Sequence, residues 1–134
     1  AEADRTLYHA ALAHGANHLV ALIADAVAVL DAAIDKSGRD AATIDGNTSL
    51  LAERILGPLV TAALQNVLEM GPAALTGPVA RGDAGAVARH LDARHTIRGG
   101  PGRDGIAEAY RTQARRAATY ISAPAELLDV LEAR

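Results

Sequence analysis

The chain has 134 residues, among them 32 Ala, 16 Leu and three Tyr, with no Phe, Trp or Cys. Its formal net charge of −3 argues against a general nucleic-acid-binding or membrane-surface protein, because such proteins carry a basic excess. The absence of Cys excludes disulfide scaffolds, thiolate zinc sites and Cys nucleophiles. We therefore expect one cytoplasmic domain over residues 1–134, long enough to bury a core.

The first predicted element is a long helix from about residue 4 to residue 35. Its apolar residues recur every three or four positions, which is the period of an α-helix. Other apolar residues lie on a second face, so we expect this helix to be central in a bundle or shared with a partner subunit. We expect no membrane span, because Asp25 and Asp31 interrupt its most apolar stretch.

A second helix is predicted to begin at a cap, Thr48 or Ser49, and to run to about Met70. Residues 57–58 are Gly-Pro, which predicts a kink or break within it. Three shorter helices follow: two cover about residues 83–95 and 104–121, and Ser122 is predicted to cap the last one. Strand signals are nearly absent. The predicted fold class is all-α, a bundle of about five or six helices.

The five His residues raise the hypothesis of a metal site. His14 and His18 lie one helical turn apart, with Asp25 near the same side. A closed zinc site needs three or four ligands, and the chain has no HExxH motif. We interpret the pair as a solvated or interfacial polar stripe and predict no metal. His90 and His95 are interpreted as surface residues of the short helix.

Three polar residues lie at or near apolar positions of the two long helices. His9 stands at the edge of the main apolar stripe, and Asn17 lies within a face of small Ala residues. Asn66 continues the apolar series of the second helix, where an unpaired buried amide would cost roughly 1–3 kcal/mol. Two interpretations are open for the side-chain amides of Asn17 and Asn66: a structural hydrogen-bond network between helices, and a contact with substrate.

The Gly/Pro-rich segment 71–83 combines a hydroxyl, a guanidinium and a helix N-terminus. Thr76, Gly77 and Arg81 would suit a carboxylate or phosphate, because backbone N–H groups and Arg bind such anions. Asp83 as the helix cap would compete for the same N–H donors, so a plain structured turn is equally open. The second Gly-rich segment, 99–105, has no preceding strand and no P-loop Lys, and it is interpreted as a connection between helices.

The residues that carry a resemblance to one family lie at 8–11, 17, 66, 71–72, 75–83 and 87–91. Together they resemble the C-terminal helical domain of the bacterial Rossmann-like and DUF2520 domain-containing proteins. The resemblance covers nearly the whole chain. It implies a fold similar to the C-terminal domains of ketopantoate reductase, pyrroline-5-carboxylate reductase and the 6-phosphogluconate dehydrogenase group.

The resemblance implies a homodimer in which this domain completes a substrate cleft. The dinucleotide-binding domain, which would hold NADP or NAD in the full-length protein, is absent from this chain, so no cofactor is expected within it. The dehydrogenase relatives that the resemblance implies use a Lys one helical turn from an Asn. In this chain Ala13 stands four residues before Asn17, and Lys36 is the only Lys. His9 is therefore the candidate acid/base, because imidazole titrates near neutrality.

Two functions are thus expected as alternatives. In the first, the full-length protein reduces a small keto or imino acid, and this chain, inactive alone, contributes His9 together with a substrate-binding set: Asn17, Asn66, Thr76, Gly77 and Arg81. In the second, the chain is a non-catalytic helical module for dimerisation or partner binding. Neither function calls for nucleic acid or a membrane.

Overall fold

The computed structural model describes residues 2–36, 51–97 and 105–133, within two compact units, Ala1–Ala52 and Glu53–Arg134. All regular secondary structure in the described ranges is helical, which confirms the all-α fold class. The six α-helices of those ranges are α1 (Glu2–Lys36), α2 (Leu51–Met70), α3 (Gly77–Ala80), α4 (Ala84–His95), α5 (Ile106–Ala118) and α6 (Ala125–Glu132).

Helix α1 confirms the long first helix within about two residues at each end. Glu2 and Asp4 lie in its first turn, where negative charge interacts favourably with the helix dipole. Its side chains from residue 2 to residue 22 are exposed, whereas most of those from 23 to 34 are half-buried. Residues 37–50, which follow α1, lie outside the described residues.

Helix α2 is continuous through Pro58, so the predicted break is wrong. Proline removes one N–H from the helical ladder, and the bonds of the turns on either side are enough to continue the helix. The end at Met70 is confirmed. Gly71, which follows, adopts φ +62°, a conformation that glycine reaches without steric cost. The predicted caps, Thr48 and Ser49, lie outside the described residues.

Segment 71–83 is more regular than predicted. It contains a 3-10 turn over Gly71–Ala74 and then the single turn of α3. Asp83 caps α4 as predicted, because its Oδ1 accepts a hydrogen bond of 2.9 Å from the Ala86 backbone N–H. The bounds of α4 confirm the predicted helix over about 83–95.

The last two helices differ from the prediction at their ends. Helix α5 ends at Ala118 instead of Ile121, because the N–H groups of residues 119–121 bond to carbonyls three residues back, in tight turns. Helix α6 takes Pro124 as its N-cap, and Ser122 lies outside it, so the predicted Ser122 cap is wrong. The predicted start of α5 at Asp104 lies outside the described residues.

The core of the second unit lies where α4, α5 and α6 pack against one another, with α3 beside α4 and α5. One cluster of buried side chains joins the three longer helices: Val87, Leu91, Ala114, Ala118, Leu127 and Leu131. Two of these residues are Ala, which permits close approach of the helix backbones. The resulting unit fixes the positions of segment 71–83 and of the polar side chains on α4 and α5.

Candidate functional site

The predicted site residues of the first unit lie on the exposed part of α1. His9 and Asn17 are both exposed and are two helical turns apart. The imidazole of His9 lies beside the Tyr8 ring, with the ring centroids 5.6 Å apart. Both polar side chains are therefore open to a ligand or to another protein surface.

Asn66 lies on the exposed part of α2, and so do its apolar neighbours in the stripe. The sequence correctly predicts that Asn66 lies among apolar residues on one face of α2. The helical period of that pattern does not show whether another part of the protein packs against this face. Because Asn66 is exposed within the chain, no burial penalty demands an internal partner for it. Its neighbours Ile55, Leu59 and Met70 are about half exposed or more.

Thr76, Gly77 and Arg81 are brought together on one short segment. Thr76 and Arg81 are exposed, and Gly77 is half-buried with φ +84°. The backbone N–H groups of residues 81–84 donate to carbonyls of the same segment, and Asp83 occupies the donor of Ala86. The competition expected from Asp83 is therefore observed at the Ala86 donor, while the Thr76 hydroxyl and the Arg81 guanidinium are on exposed side chains.

Large apolar side chains are exposed along both long helices. The exposed fraction reaches 72% at Leu7 and 77% at Leu68. Other members of this set are Tyr8, Leu12, Val20 and Leu22 on α1 and Leu59, Leu64, Val67 and Met70 on α2. Single exposed apolar residues are normal, but series along a helix mark a surface that binds another surface.

Helix α1 is also long and apolar enough to cross a membrane, with a mean hydropathy of 1.7 over its best 18-residue window. This finding weakens the expectation that Asp25 and Asp31 exclude a span. A span needs about 20 residues. Every such stretch within 2–34 includes Asn17 and His18, together with Arg5 or Asp25. Polar groups at these positions are costly in lipid and ordinary in a wet protein interface.

A cluster of polar side chains between α4 and α5 has no counterpart in the sequence predictions. His90 Nδ1 lies 3.0 Å from the Tyr110 hydroxyl, and the Arg94 guanidinium stacks 3.9 Å from the centre of the Tyr110 ring. Arg94 also donates to the His90 carbonyl at 3.1 Å. His90 is half-buried, so its interpretation as a surface residue is wrong. His95 is exposed, as predicted.

The protonation of this cluster favours a structural role. Burial raises the pKa of Tyr110, and the nearby positive charge of Arg94 lowers it by a smaller amount. Burial lowers the pKa of Arg94, with a smaller opposing effect from Tyr110. A phenol whose pKa is raised stays neutral at physiological pH, which suits a hydrogen bond that joins two helices and not a base.

Arg111 is the other residue that the sequence did not single out. Its side chain is buried on α5, and its Nη1 donates to the carbonyls of Val130, Leu131 and Ala133 at the end of α6. Its Nε lies 3.5 Å from Glu108 Oε2. Carbonyls at a helix C-terminus lack partners in their own helix, so this guanidinium caps α6 from a different helix.

The Gly-rich segment 99–105 lies outside the described residues except for Gly105. Gly100, Gly102 and Gly105 have the G-x-G-x-x-G spacing of dinucleotide-binding turns, which also require a strand immediately before them. Here the described element before the segment is a helix, α4, which ends at His95. The spacing therefore occurs between two helices, where it does not indicate a nucleotide site.

Comparison with known proteins identifies the family. Residues 1–117 match the family described as Domain of unknown function (DUF2520). The chain belongs to the DUF2520 family. Neither a search of curated proteins nor a search of solved structures gave a match.

The DUF2520 match includes all six predicted site residues and ends within α5. It also includes the His90, Arg94 and Tyr110 cluster and Arg111. Helix α6 lies beyond the matched residues, although Arg111 within the match caps its C-terminus. The end of this DUF2520 chain is therefore attached to the matched domain both through the core and through one buried guanidinium.

Proposed function

We propose that this DUF2520 chain is the dimerisation and substrate-cleft domain of an NAD(P)-dependent oxidoreductase that acts on a small keto or imino acid. The dimerisation part rests on one observation, the exposed apolar series on α1 and α2. The redox part rests on the resemblance of the motifs and on the exposed polar side chains within those series.

A second copy of the chain is the partner that best fits the exposed series. Burying a large aliphatic side chain contributes about 1.5–3 kcal/mol, so covering about ten such residues would offset the about 4–15 kcal/mol that association costs. Asn17, a polar position along α1, suits a protein partner better than lipid. The proposed homodimer therefore uses the apolar faces of α1 and α2.

The proposed cleft uses side chains that are exposed within the chain. The imidazole of His9 is the group to which the proposal assigns the acid/base role. The amides of Asn17 and Asn66 can hold a carbonyl or carboxylate oxygen, and Arg81 can bind a carboxylate with two parallel bonds. Proton transfer by Lys has no support, because Lys36 is the only Lys and no Lys stands one turn before Asn17.

The nicotinamide cofactor, NADP or NAD, would supply the hydride and would be held by a dinucleotide-binding domain in the full-length protein. The proposal assigns no cofactor contact to the residues of this chain. Its own residues would bind the substrate, orient it and exchange a proton with it. Cytoplasmic localisation, as expected from the Cys-free composition, is part of this proposal.

The alternative is a non-catalytic module for dimerisation or partner binding. It is favoured by the occupancy of the N–H donors in segment 71–83, since Asp83 and the local carbonyls leave few groups for an anionic substrate. Both functions require the apolar faces of the long helices to be covered. They differ in whether turnover depends on His9 and Asn66.

Light scattering of the chain at micromolar concentration tests the dimer. We expect a dimer that Leu68→Glu on α2 converts to a monomer, because a carboxylate would enter an apolar interface. Leu128→Glu is the matched control, since Leu128 is an exposed leucine on α6. Circular dichroism checks that helical content is kept. A monomeric wild-type chain would refute the dimer.

Turnover by the full-length protein tests the redox part. NADPH consumption is followed with a panel of 2-oxo and imino acids, for the wild type and for His9→Ala and Asn66→Ala. We expect both variants to abolish turnover while light scattering shows an unchanged oligomer. If no cofactor binds, or if both variants keep full turnover, the substrate-cleft proposal fails while the dimer result stands.

A further inference from the structure

His14 and His18 form a closer pair than their spacing alone requires. Their Nδ1 atoms are 2.7 Å apart, and the two rings meet edge to face with centroids 4.9 Å apart. Both residues are exposed on α1. Two nitrogens at this distance share one hydrogen, so one ring donates through Nδ1–H and the other accepts through a bare Nδ1.

This geometry is near that of two adjacent ligands on one metal ion. With metal–nitrogen bonds of about 2.0–2.1 Å, ligands at a right angle are about 2.9 Å apart, and tetrahedral ligands are about 3.3 Å apart. The observed separation is closer to the first value. Tetragonal coordination by imidazole is typical of Cu²⁺ and Ni²⁺, whereas Zn²⁺ prefers the tetrahedral arrangement.

We propose that His14 and His18 bind a divalent transition-metal ion through both Nδ1 atoms, with Ni²⁺ or Cu²⁺ preferred over Zn²⁺. The donor ring moves its proton from Nδ1 to Nε2, so that both Nδ1 lone pairs face the ion and the neutral pair loses no proton. Water fills the remaining coordination positions. The described residues hold no group of three or more His, Cys, Asp and Glu that could form a metal site, so this is a two-ligand site on one helix.

The proposal revises the interpretation of the pair as a polar stripe only. A third or fourth ligand is needed to close a structural zinc site, but an open site on a helix surface needs no such closure. The helix backbone holds the two imidazoles in register, so the second ligand binds at a high effective concentration. A chelate of this kind is expected to bind about 10²-fold more tightly than either imidazole alone.

Calorimetric titration of the full chain with NiCl₂ tests the site, with three variants beside the wild type. His18→Ala leaves one ligand of the pair. His18→Ala combined with Leu19→His keeps the number of His constant but sets the two imidazoles about 140° apart around the helix. His95→Ala removes an exposed His from α4 and is the matched control. Circular dichroism checks that each variant remains helical.

We expect one Ni²⁺ per chain in the wild type and in His95→Ala, and binding about 10²-fold weaker in both variants that break the pair. The nitrogen couplings in the electron paramagnetic resonance spectrum of bound Cu²⁺ should show two imidazoles, reduced to one in His18→Ala. Wild-type binding in the variant with Leu19→His would overturn the proposal. Three other results would also overturn the proposal. They are an equally large loss of Ni²⁺ affinity in His95→Ala, tighter binding of ZnCl₂ than of NiCl₂, and no saturable binding of Ni²⁺ by the wild type.

Discussion

Replacement of Arg111 by Met should destabilise the second unit more than any substitution of an exposed charge. Methionine keeps most of the apolar stem but removes the guanidinium donors that cap α6. Arg111 is 8% exposed, and its Nη1 lies 3.1 Å from the Val130 carbonyl and 3.3 Å from the Leu131 carbonyl. The loss therefore leaves carbonyls of a helix end without their partner.

The expected magnitude follows from these contacts. A hydrogen bond to a charged group contributes about 1.5–3 kcal/mol, and an orphaned buried acceptor costs about 1–3 kcal/mol. Val130 is only half-buried and Ala133 is exposed, so water can replace part of what is lost. We expect Arg111→Met to lower the free energy of unfolding by about 2–4 kcal/mol, a large share of the about 5–15 kcal/mol of a typical domain.

Arg111→Lys and Arg115→Met complete the series. Lysine keeps the charge but not the planar set of donors, so we expect a loss of about 1–2 kcal/mol. Arg115 is more exposed and lies 3.8 Å from Glu108 Oε1, a surface pair whose loss should cost less than about 0.5 kcal/mol. We therefore expect the loss of unfolding free energy to decrease in the order Arg111→Met, Arg111→Lys, Arg115→Met.

Urea unfolding followed by circular dichroism at a fixed protein concentration measures these free energies. Hydrogen exchange resolved along the chain shows whether the amides of residues 126–132 lose protection selectively in Arg111→Met. An unfolding free energy within about 0.5 kcal/mol of the wild type, with α6 still protected, would refute the role of Arg111 as the cap of α6.

Two other substitutions test the packing of the second unit. Burial raises the pKa of Tyr110, so above pH 10 the unfolded chain loses this proton first and wild-type stability should fall as the pH rises. Urea midpoints at pH 9 and pH 11 should show a smaller fall in stability for Tyr110→Phe than for the wild type. A fall of wild-type size in Tyr110→Phe, together with a smaller fall in the exposed control Tyr120→Phe, would contradict this. Gly82 has φ +68°, and a Cβ there would lie 2.9 Å from Pro124 Cγ, so Gly82→Ala should destabilise by about 1–3 kcal/mol. In a Pro124→Ala background the urea-measured cost of Gly82→Ala should be smaller, and an equal cost would show that the Pro124 contact is unimportant.

The sequence by itself predicts the parts of this protein that depend on local interactions. The bounds of α1, the end of α2 at Met70 and the Asp83 cap all follow from residues within one or two helical turns of each other. The resemblance to the DUF2520 family, confirmed by the match over residues 1–117, also rests on short motifs. Helical period and capping are properties of neighbouring residues, so a reader of the sequence can recover them.

Only the tertiary structure decides which faces are covered and which polar groups meet. Arg111 and Leu131 are 20 residues apart in the chain, and so are His90 and Tyr110, so no local pattern reveals either contact. The exposure of Asn66 and its stripe likewise depends on what packs against α2. An apolar stripe fixes which residues share a face, whereas burial of that face depends on partners that the helix itself does not contain.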